Sequence, residues 1–240
     1  MSSFDRVADI YDATRSLPME EMNSIIDSIT SMLGECKTII DAGIGTGRFA
    51  LPLSQRGYSV AGVDLSRKMM TVARQKGIGD LFLADIQGNL PFKDNSFDAA
   101  LVVHVLHLID DWRSVMHEIA RVSTMFVLTV FTETEGIEPI DRYVALRRDF
   151  LFPLGRDRNA WKSALKKATV QQIYEQKEEI SGDEIILYLE NRKSSATWEV
   201  PDRIHERIMA QLRSELQGKH FLRKAIMKIA IWKSRQILEV

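Results

Sequence analysis

Three glycines fall at alternate positions in the stretch TIIDAGIGTGRFALPL, Thr38 to Leu53, and an aspartate closes each of the next two apolar runs, Asp64 in VAGVDLS and Asp85 in LADI. Gly43, Gly45 and Gly47 lie between a short apolar run and an amphipathic one, the pattern of a strand turning into a helix. Without Cβ atoms they permit positive φ and let a ligand approach the main chain, while the start of the helix after Gly47 offers unpaired N–H groups. A dinucleotide turn needs G-x-G-x-x-G, which counted from Gly43 puts its third glycine at position 48; that residue is Arg48, so the spacing fails for NAD or FAD. Asp64 follows Gly43 by about twenty residues, the separation at which a carboxylate accepts hydrogen bonds from ribose hydroxyls. Asp85 could accept from an exocyclic amine such as that of adenine. Taken alone, a glycine turn reads equally as a tight connection and each acid as an N-cap or loop carboxylate. Two acids ending successive strands beside such a turn point to a nucleoside.

The elements that must position these residues read as alternating strands and helices from Thr38 to about Phe131. The expected strands are TIIDA, YSVAGVD, LFLAD, DAALVVHV and MFVLTVF; TGRFALPLSQR, SRKMMTVARQK and DWRSVMHEIARV are the helices between them. Ser66 is placed to cap a helix, and Gly57 and Gly77 to end one. Upstream, PMEEMNSIIDSITSML reads as an amphipathic helix with Pro18 in its first turn. Downstream, residues 136–165 are less regular, ATVQQIYEQKEEI reads as a sixth strand, SGDE has capping-box spacing before IILYLENR, PDRIHERIMAQLRSELQ is a helix ending at Gly218, and KAIMKIAIWKS reads as a seventh strand. No linker stands out, so residues 1–240 are expected to form one α/β domain, with 1–37 as an N-terminal helical cover and 136–165 as an insertion.

At these residues the chain resembles the class I S-adenosylmethionine-dependent methyltransferases, of the small-molecule type related to the ubiquinone and menaquinone biosynthesis group. The resemblance covers residues 38–131, with a looser match at ADIYDATR. Asp41, Gly43, Gly45 and Gly47 match the family's acidic residue and G-x-G-x-G turn; Asp64, with Leu65 after it, matches the ribose-binding acid; Asp85, with the Ile86 backbone, matches the acid that reads the adenine amine. LPFKDNSFDAALVVHVLHLIDDW follows the family's segment around the fourth strand. Ile44 replaces a frequent cysteine, Leu108 a frequent histidine, and RVSTM the usual Pro-Gly-Gly turn. The resemblance implies a Rossmann-like seven-stranded mixed sheet of order 3-2-1-4-5-7-6 with helices on both faces. It also implies S-adenosyl-L-methionine as cofactor, no metal, and a glycine turn that holds a methionine moiety.

Such a cofactor leaves the protein chiefly to align an acceptor and exclude water. His104, at the end of the fourth strand, is the catalytic candidate if the acceptor arrives protonated, with His107 next; each reads equally as a polar group bonded to backbone or cofactor. The resemblance implies that Tyr11 and Arg15, in YDATR, fold over the cofactor, with Arg15 able to pair with its carboxylate; they read equally as a packing tyrosine and a surface arginine. Because the family places its acceptor-recognition elements after the fifth strand, the resemblance implies that 136–165 is an inserted substrate cover, with Tyr143, Phe150, Phe152 and Trp161 expected to line an apolar pocket mouth. Arg142, Arg147, Arg148, Arg156 and Arg158 leave open an anionic acceptor, an RNA, or a solvated helix face.

Thirty-two basic against thirty-three acidic side chains, a formal net charge of -1, create no global field for nucleic acid or membrane. Cys36 is the single cysteine, which excludes an internal disulfide and fits a reducing, cytoplasmic setting. No apolar run approaches the roughly 20 residues of a membrane span, and no signal peptide is expected. The reading is therefore an enzyme that methylates O, N or C of a small molecule, with an RNA or protein acceptor, or cofactor binding without turnover, as alternatives. The acceptor and the oligomeric state are left open.

Overall fold

β-Branched apolar runs alternating with amphipathic helical stretches bury both faces of a sheet under helices. The protein has that arrangement in a computed structural model that describes residues 3–15, 17–136, 139–150, 152 and 157–238. Strands β1 (Thr38–Ala42), β2 (Ser59–Asp64), β3 (Leu81–Leu83), β4 (Phe97–Val103), β5 (Ser123–Gly136), β6 (Thr169–Ser181) and β7 (His220–Lys233) form one mixed sheet in the order β3-β2-β1-β4-β5-β7-β6. The pairs β1 with β2, β1 with β4, β2 with β3 and β4 with β5 are parallel.

Successive strand residues enter opposite cores, as the two-residue period of a strand demands. Ile39, Leu101 and Leu128 pack with Ile25, Ile26 and Ile29 of helix α1 (Met19–Leu33) and Leu53 of α2 (Ala50–Gln55). Their neighbours Ile40, Ala100, Val102 and Val127 pack on the other face, with Val115, Met116 and Ile119 of α4 (Trp112–Val122). The intervening helix α3 (Arg67–Gln75) is capped by Ser66, whose hydroxyl accepts from the Met69 N–H at 3.2 Å. Asp111 caps α4 in the same way.

The local expectations shift at three places. The helix after the glycine turn starts at Ala50, because Gly45 and Gly47 hold positive φ that no α-helix accepts. Strand β3 stops at Leu83, two residues before Asp85. In the segment expected to be irregular, Pro139–Asp149 is a helix, α5.

The single domain expected over residues 1–240 is resolved by its contacts into two compact units: 1–131 with 158–174 and 227–240, and 132–157 with 175–226. Three of the four crossings fall inside β5, β6 and β7, so no Gly- or Pro-rich linker marks them. In the second unit α5 packs with α6 (Gly182–Glu190) and α7 (Asp202–Leu216) around Tyr143, Leu146, Ile185, Leu189, Ile208 and Leu212. Ser181 and Glu184 close the anticipated capping box on α6.

This packing corrects the reading of the aromatic segment. Tyr143 is no pocket mouth: it is fully buried, bonded through its hydroxyl to Nδ1 of His205 at 2.6 Å. Phe150 and Phe152 pack half-buried on the same core. Trp161 is buried in the first unit, edge-on to Phe131 with ring centres 5.0 Å apart. Arg142 pairs with Glu215 at 2.5 Å, and Arg147 is buried with donors on the Ala196 and Phe152 carbonyls. Arg156 lies outside the described residues.

Candidate functional site at the strand ends

Register brings the predicted site residues to one edge of the sheet. Asp41 is level with Gly62 on β2 and Leu101 on β4, and Asp64 is level with Leu83 on β3. The residues that leave these strands, Gly43, Leu65, Asp85 and His104, therefore emerge together at the carboxyl ends, where parallel sheets bind ligands.

The three glycines of the turn do different work. All have positive φ, +86° at Gly43, +56° at Gly45 and +74° at Gly47. A Cβ on Gly43 would lie 2.5 Å from Val105 Cγ2, and one on Gly47 would lie 2.1 Å from Ile78 Cδ1. Gly45 alone faces open space. The outer two are thus demanded by the protein's own packing, and the middle one leaves main chain bare to a ligand. Ile44, in the place of a cysteine, fits because β2 presents Gly62, whose Cβ would stand 2.2 Å from Ile44 Cδ1.

The carboxylates follow. Asp64 accepts from the Gly45 N–H at 2.8 Å on Oδ2 and from the Ser66 N–H at 2.7 Å on Oδ1, so its orientation is set by the turn it serves. Burial pushes its pKa up, and the backbone donors hold it back. Asp41 is 2 % exposed and its Oδ1 has no partner; burial, with Asp64 adding repulsion, pushes its pKa up to about 7. Such a group ionises at neutral pH once a cation comes to it. Asp85 is exposed and accepts from the Gln87 N–H at 2.9 Å, beside a buried Ile86, while the Leu65 side chain is exposed.

His104 begins where β4 ends. Its N–H donates to the Val130 carbonyl at 2.9 Å, and its φ of +53° is the left-handed conformation that non-glycine residues adopt at a cost. Burial, reinforced by the cations Arg48 and Arg15, pushes its pKa down to about 4, so the imidazole is neutral at physiological pH. His107 lies half-buried in a 3-10 turn, Leu106–Leu108.

The N-terminal segment is fastened to this edge by residues of which the sequence reading singled out Ser66 alone, and that as a helix cap. Thr46 Oγ1 donates to Asp12 Oδ1 at 2.6 Å, Lys76 pairs with Asp12 and donates to the Thr46 carbonyl at 2.8 Å, and Ser66 Oγ donates to Asp5 Oδ1 at 2.5 Å. Asp12 sits inside the YDATR match, between Tyr11 and Arg15, whose guanidinium stacks on the Tyr11 ring at 4.1 Å. Arg48 also belongs here, with a buried Nε that has no acceptor. Its only sequence signal was negative, as the residue that spoils the dinucleotide spacing.

A bare glycine, a carboxylate fixed beside it, an unpartnered buried carboxyl and flanking guanidinium groups suit a nucleoside that carries a zwitterionic tail. The family described as "Methyltransferase domain" matches residues 40–124, a span that holds Asp41, the glycine turn, Asp64, Asp85 and His104. Residues 40–124 thus resemble a methyltransferase domain, over about a third of the chain.

A demethylmenaquinone methyltransferase of Tropheryma whipplei is 31% identical over 128 residues, 50% of this chain and 52% of that protein. A malonyl-[acyl-carrier protein] O-methyltransferase of Hamiltonella defensa is 33% identical over 125 residues, 51% and 46% of the two chains. The chain thus spans about half the length of the curated relatives it matches. The solved YcgJ protein of Bacillus subtilis shares the fold, with a TM-score of 0.56 at 22% identity over 88% of this chain and 97% of that one. Among the described residues no helix is long and apolar enough to cross a membrane.

Proposed function

We propose that the protein uses S-adenosyl-L-methionine to methylate an O, N or C atom of a small molecule. The observation that carries this reading is the pair at the turn: Asp64 fixed by the Gly45 N–H, and Asp41 buried behind it with an oxygen unpartnered. Bound S-adenosylmethionine supplies a methyl group on a sulfonium, a leaving group that asks no nucleophile of the protein. Asp64 accepts from the ribose hydroxyls, and Asp85, with the Ile86 backbone beside it and Leu65 flanking, reads the adenine amine. Asp41 and the Gly43 to Gly47 turn receive the ammonium end, and Arg15 the carboxylate, with Tyr11 stacked behind it.

His104 has a pKa far below neutrality, so it does not store a proton; it accepts a hydrogen bond from the acceptor's N–H or O–H and thereby orients the attacking atom. The two relatives named above carry different acceptors in their names at nearly equal identity, so likeness does not choose one for this chain. An RNA acceptor loses support because Arg142 and Arg147 are engaged inside the second unit. The sole cysteine, Cys36, is a buried free thiol, which suits the reducing cytoplasm.

Calorimetric titration with S-adenosylhomocysteine tests the reading. Asp64→Ala leaves ribose hydroxyls unpaired and is expected to weaken binding by about 1 to 3 kcal/mol, roughly five- to a hundred-fold in Kd. Asp64→Asn, which retains an acceptor for the Gly45 N–H, separates loss of the ligand contact from collapse of the turn. Unchanged affinity in both variants removes the assignment.

A further inference from the structure

The first unit holds a second cavity that none of the strand-end residues lines. It has a volume of about 790 Å³ and runs between α4, the 160–167 turn and helix α8 (Ser234–Leu238). That volume is in the range of small-molecule pockets. Trp112, Met116, Trp232 and Ile237 form its apolar wall. The one indole donor there with a polar partner, Trp232 Nε1, is bonded to the Ala164 carbonyl at 3.2 Å, so that ring offers an apolar surface alone.

Charge at the mouth has one sign. Arg113, Lys166 and Lys167 line the cavity, are exposed, and have no carboxylate partner among the described residues. Arg113 lies over the Trp112 ring at 4.4 Å, which keeps its cation at the cavity wall. His117 lines it as well and adds a donor. The single acid, Glu118, is already matched: Oε1 accepts from the Leu90 N–H at 2.7 Å, and both oxygens pair with Arg121 at 2.6 and 2.8 Å.

We propose that this cavity is a second ligand site, taking an amphipathic anion whose apolar body lies against Trp112, Met116 and Trp232 and whose carboxylate or phosphate head meets Lys166, Lys167 and Arg113. Carboxylate and phosphate heads share this chemistry, and the lysine pair binds either as point charges. The cavity also reaches Gln87, Gly88 and Asn89, the residues directly after Asp85 and Ile86. An occupant therefore lies against the loop that follows the proposed adenine-reading acid, while Asp85 itself does not line the cavity, so the two sites are separate.

The probes are dodecanoate, dodecyl phosphate and dodecyltrimethylammonium, each below its micelle concentration, titrated into the full chain by calorimetry and by tryptophan fluorescence. Both anions are expected to bind, and the cation of equal length to bind at least about tenfold more weakly, since the head faces three cations at once and a tenfold change needs more than one exposed ion pair. The double substitution Lys166→Glu with Lys167→Glu, on exposed side chains, is expected to weaken dodecanoate binding about tenfold or more while leaving S-adenosylhomocysteine affinity within twofold. Met116→Trp fills the cavity and is expected to abolish anion binding. Should that core change unfold the chain, the surface pair still decides. Binding of the cation as tight as that of the anions, indifference to the charge reversal, no anion binding up to about 1 mM, or competitive displacement by S-adenosylhomocysteine overturns the proposal.

Discussion

Two arginines show how the rim of the sheet differs from the interior of the second unit. Arg147 on α5 is 3 % exposed and donates to the Ala196 carbonyl at 2.7 Å and the Phe152 carbonyl at 3.1 Å. Arg48, beside the glycine turn, buries an Nε that finds no acceptor, and burial holds its guanidinium below its usual pKa. The same contrast runs through the other polar groups: His205 is matched by the Tyr143 hydroxyl, whereas Asp41 keeps Oδ1 unmatched. Buried polar groups are almost always hydrogen-bonded, and each one left over costs about 1 to 3 kcal/mol. A core completes its own bonds. The rim leaves Asp41 Oδ1 and Arg48 Nε without partners, the groups that the proposed cofactor would meet.

The largest effect that could break this comparison is the pH dependence of stability. Asp41 has a folded-state pKa of about 7 against 3.8 for the free group, so the folded chain binds more protons between those values. Its contribution is full below pH 4 and is lost as pH rises through 7, by up to roughly 4 kcal/mol. His104 acts in the opposite sense: with a pKa lowered from 6.5 to about 4, its contribution is present above 6.5 and lost as pH falls through 4. These two opposing contributions shape the wild-type profile between pH 4.5 and 7.5 together with Asp64, whose pKa burial raises, and His205, whose pKa burial lowers. Asp41→Asn removes the first, so urea denaturation of that variant is expected to show stability rising with pH across the window where the wild type is flat or falls. Parallel profiles would mean that Asp41 is not the uncompensated group described above.

The paired arginine substitutions come next. Arg147→Met strands two buried carbonyls and is expected to cost about 2 to 3 kcal/mol, read from the urea midpoint. Arg48→Met removes a donor that has nothing to lose and is expected to change stability by less than about 1 kcal/mol. Equal losses would erase the distinction between a completed and an incomplete interior. Within the turn, Gly47→Ala brings both left-handed strain and a collision with Ile78 Cδ1, for about 1 to 3 kcal/mol, while Gly45→Ala meets only the strain, about 1 to 2 kcal/mol. Thermal melts rank the two. A Gly45 variant less stable than the Gly47 one would show that the middle position is packed after all.

The rim was legible in the sequence because its logic is local. Gly43, Gly45 and Gly47 follow a strand directly, Asp64 closes the next strand, and Ser66 caps the helix two residues later, so spacing alone placed them. The order of the sheet came from the resemblance those residues carry. In the second unit the elements were legible, α6 with its capping box and α7 among them, but its core was not, because that core is made by pairs far apart in the chain. Tyr143 meets His205 and Arg142 meets Glu215, and until α7 covers α5 an aromatic and arginine-rich segment reads as well for a pocket mouth. The fastening of the N-terminal segment escaped for the same reason: Asp12 and Thr46 are ordinary polar residues, 34 positions apart, until the fold brings them to 2.6 Å. The late start of α2 was hidden by the apolar period of TGRFALPL, which continues through a turn whose φ values forbid a helix.

That fastening gives the smallest and most local effect. The Asp12 and Lys76 side chains are 40 % and 25 % exposed, and a pair so placed contributes no more than about 1 kcal/mol to global stability. Asp12→Asn is therefore expected to leave the melting temperature nearly unchanged. Residues 3–15, however, meet the rim through polar ties that include Asp5 on Ser66 and on the Lys68 N–H, and Asp12 on Thr46 and Lys76, beside the buried Val7 and Ala8. A loss of even 1 kcal/mol from a segment that opens by itself raises its open fraction about fivefold. Amide exchange at Thr14 and Arg15, whose N–H groups donate to the Ile10 and Asp12 carbonyls, is expected to quicken by that factor while exchange in β1 and β4 stays the same. Equal protection in the variant would mean that Val7 and Ala8 hold the segment down, and that the polar latch at the glycine turn only sets where Arg15 points.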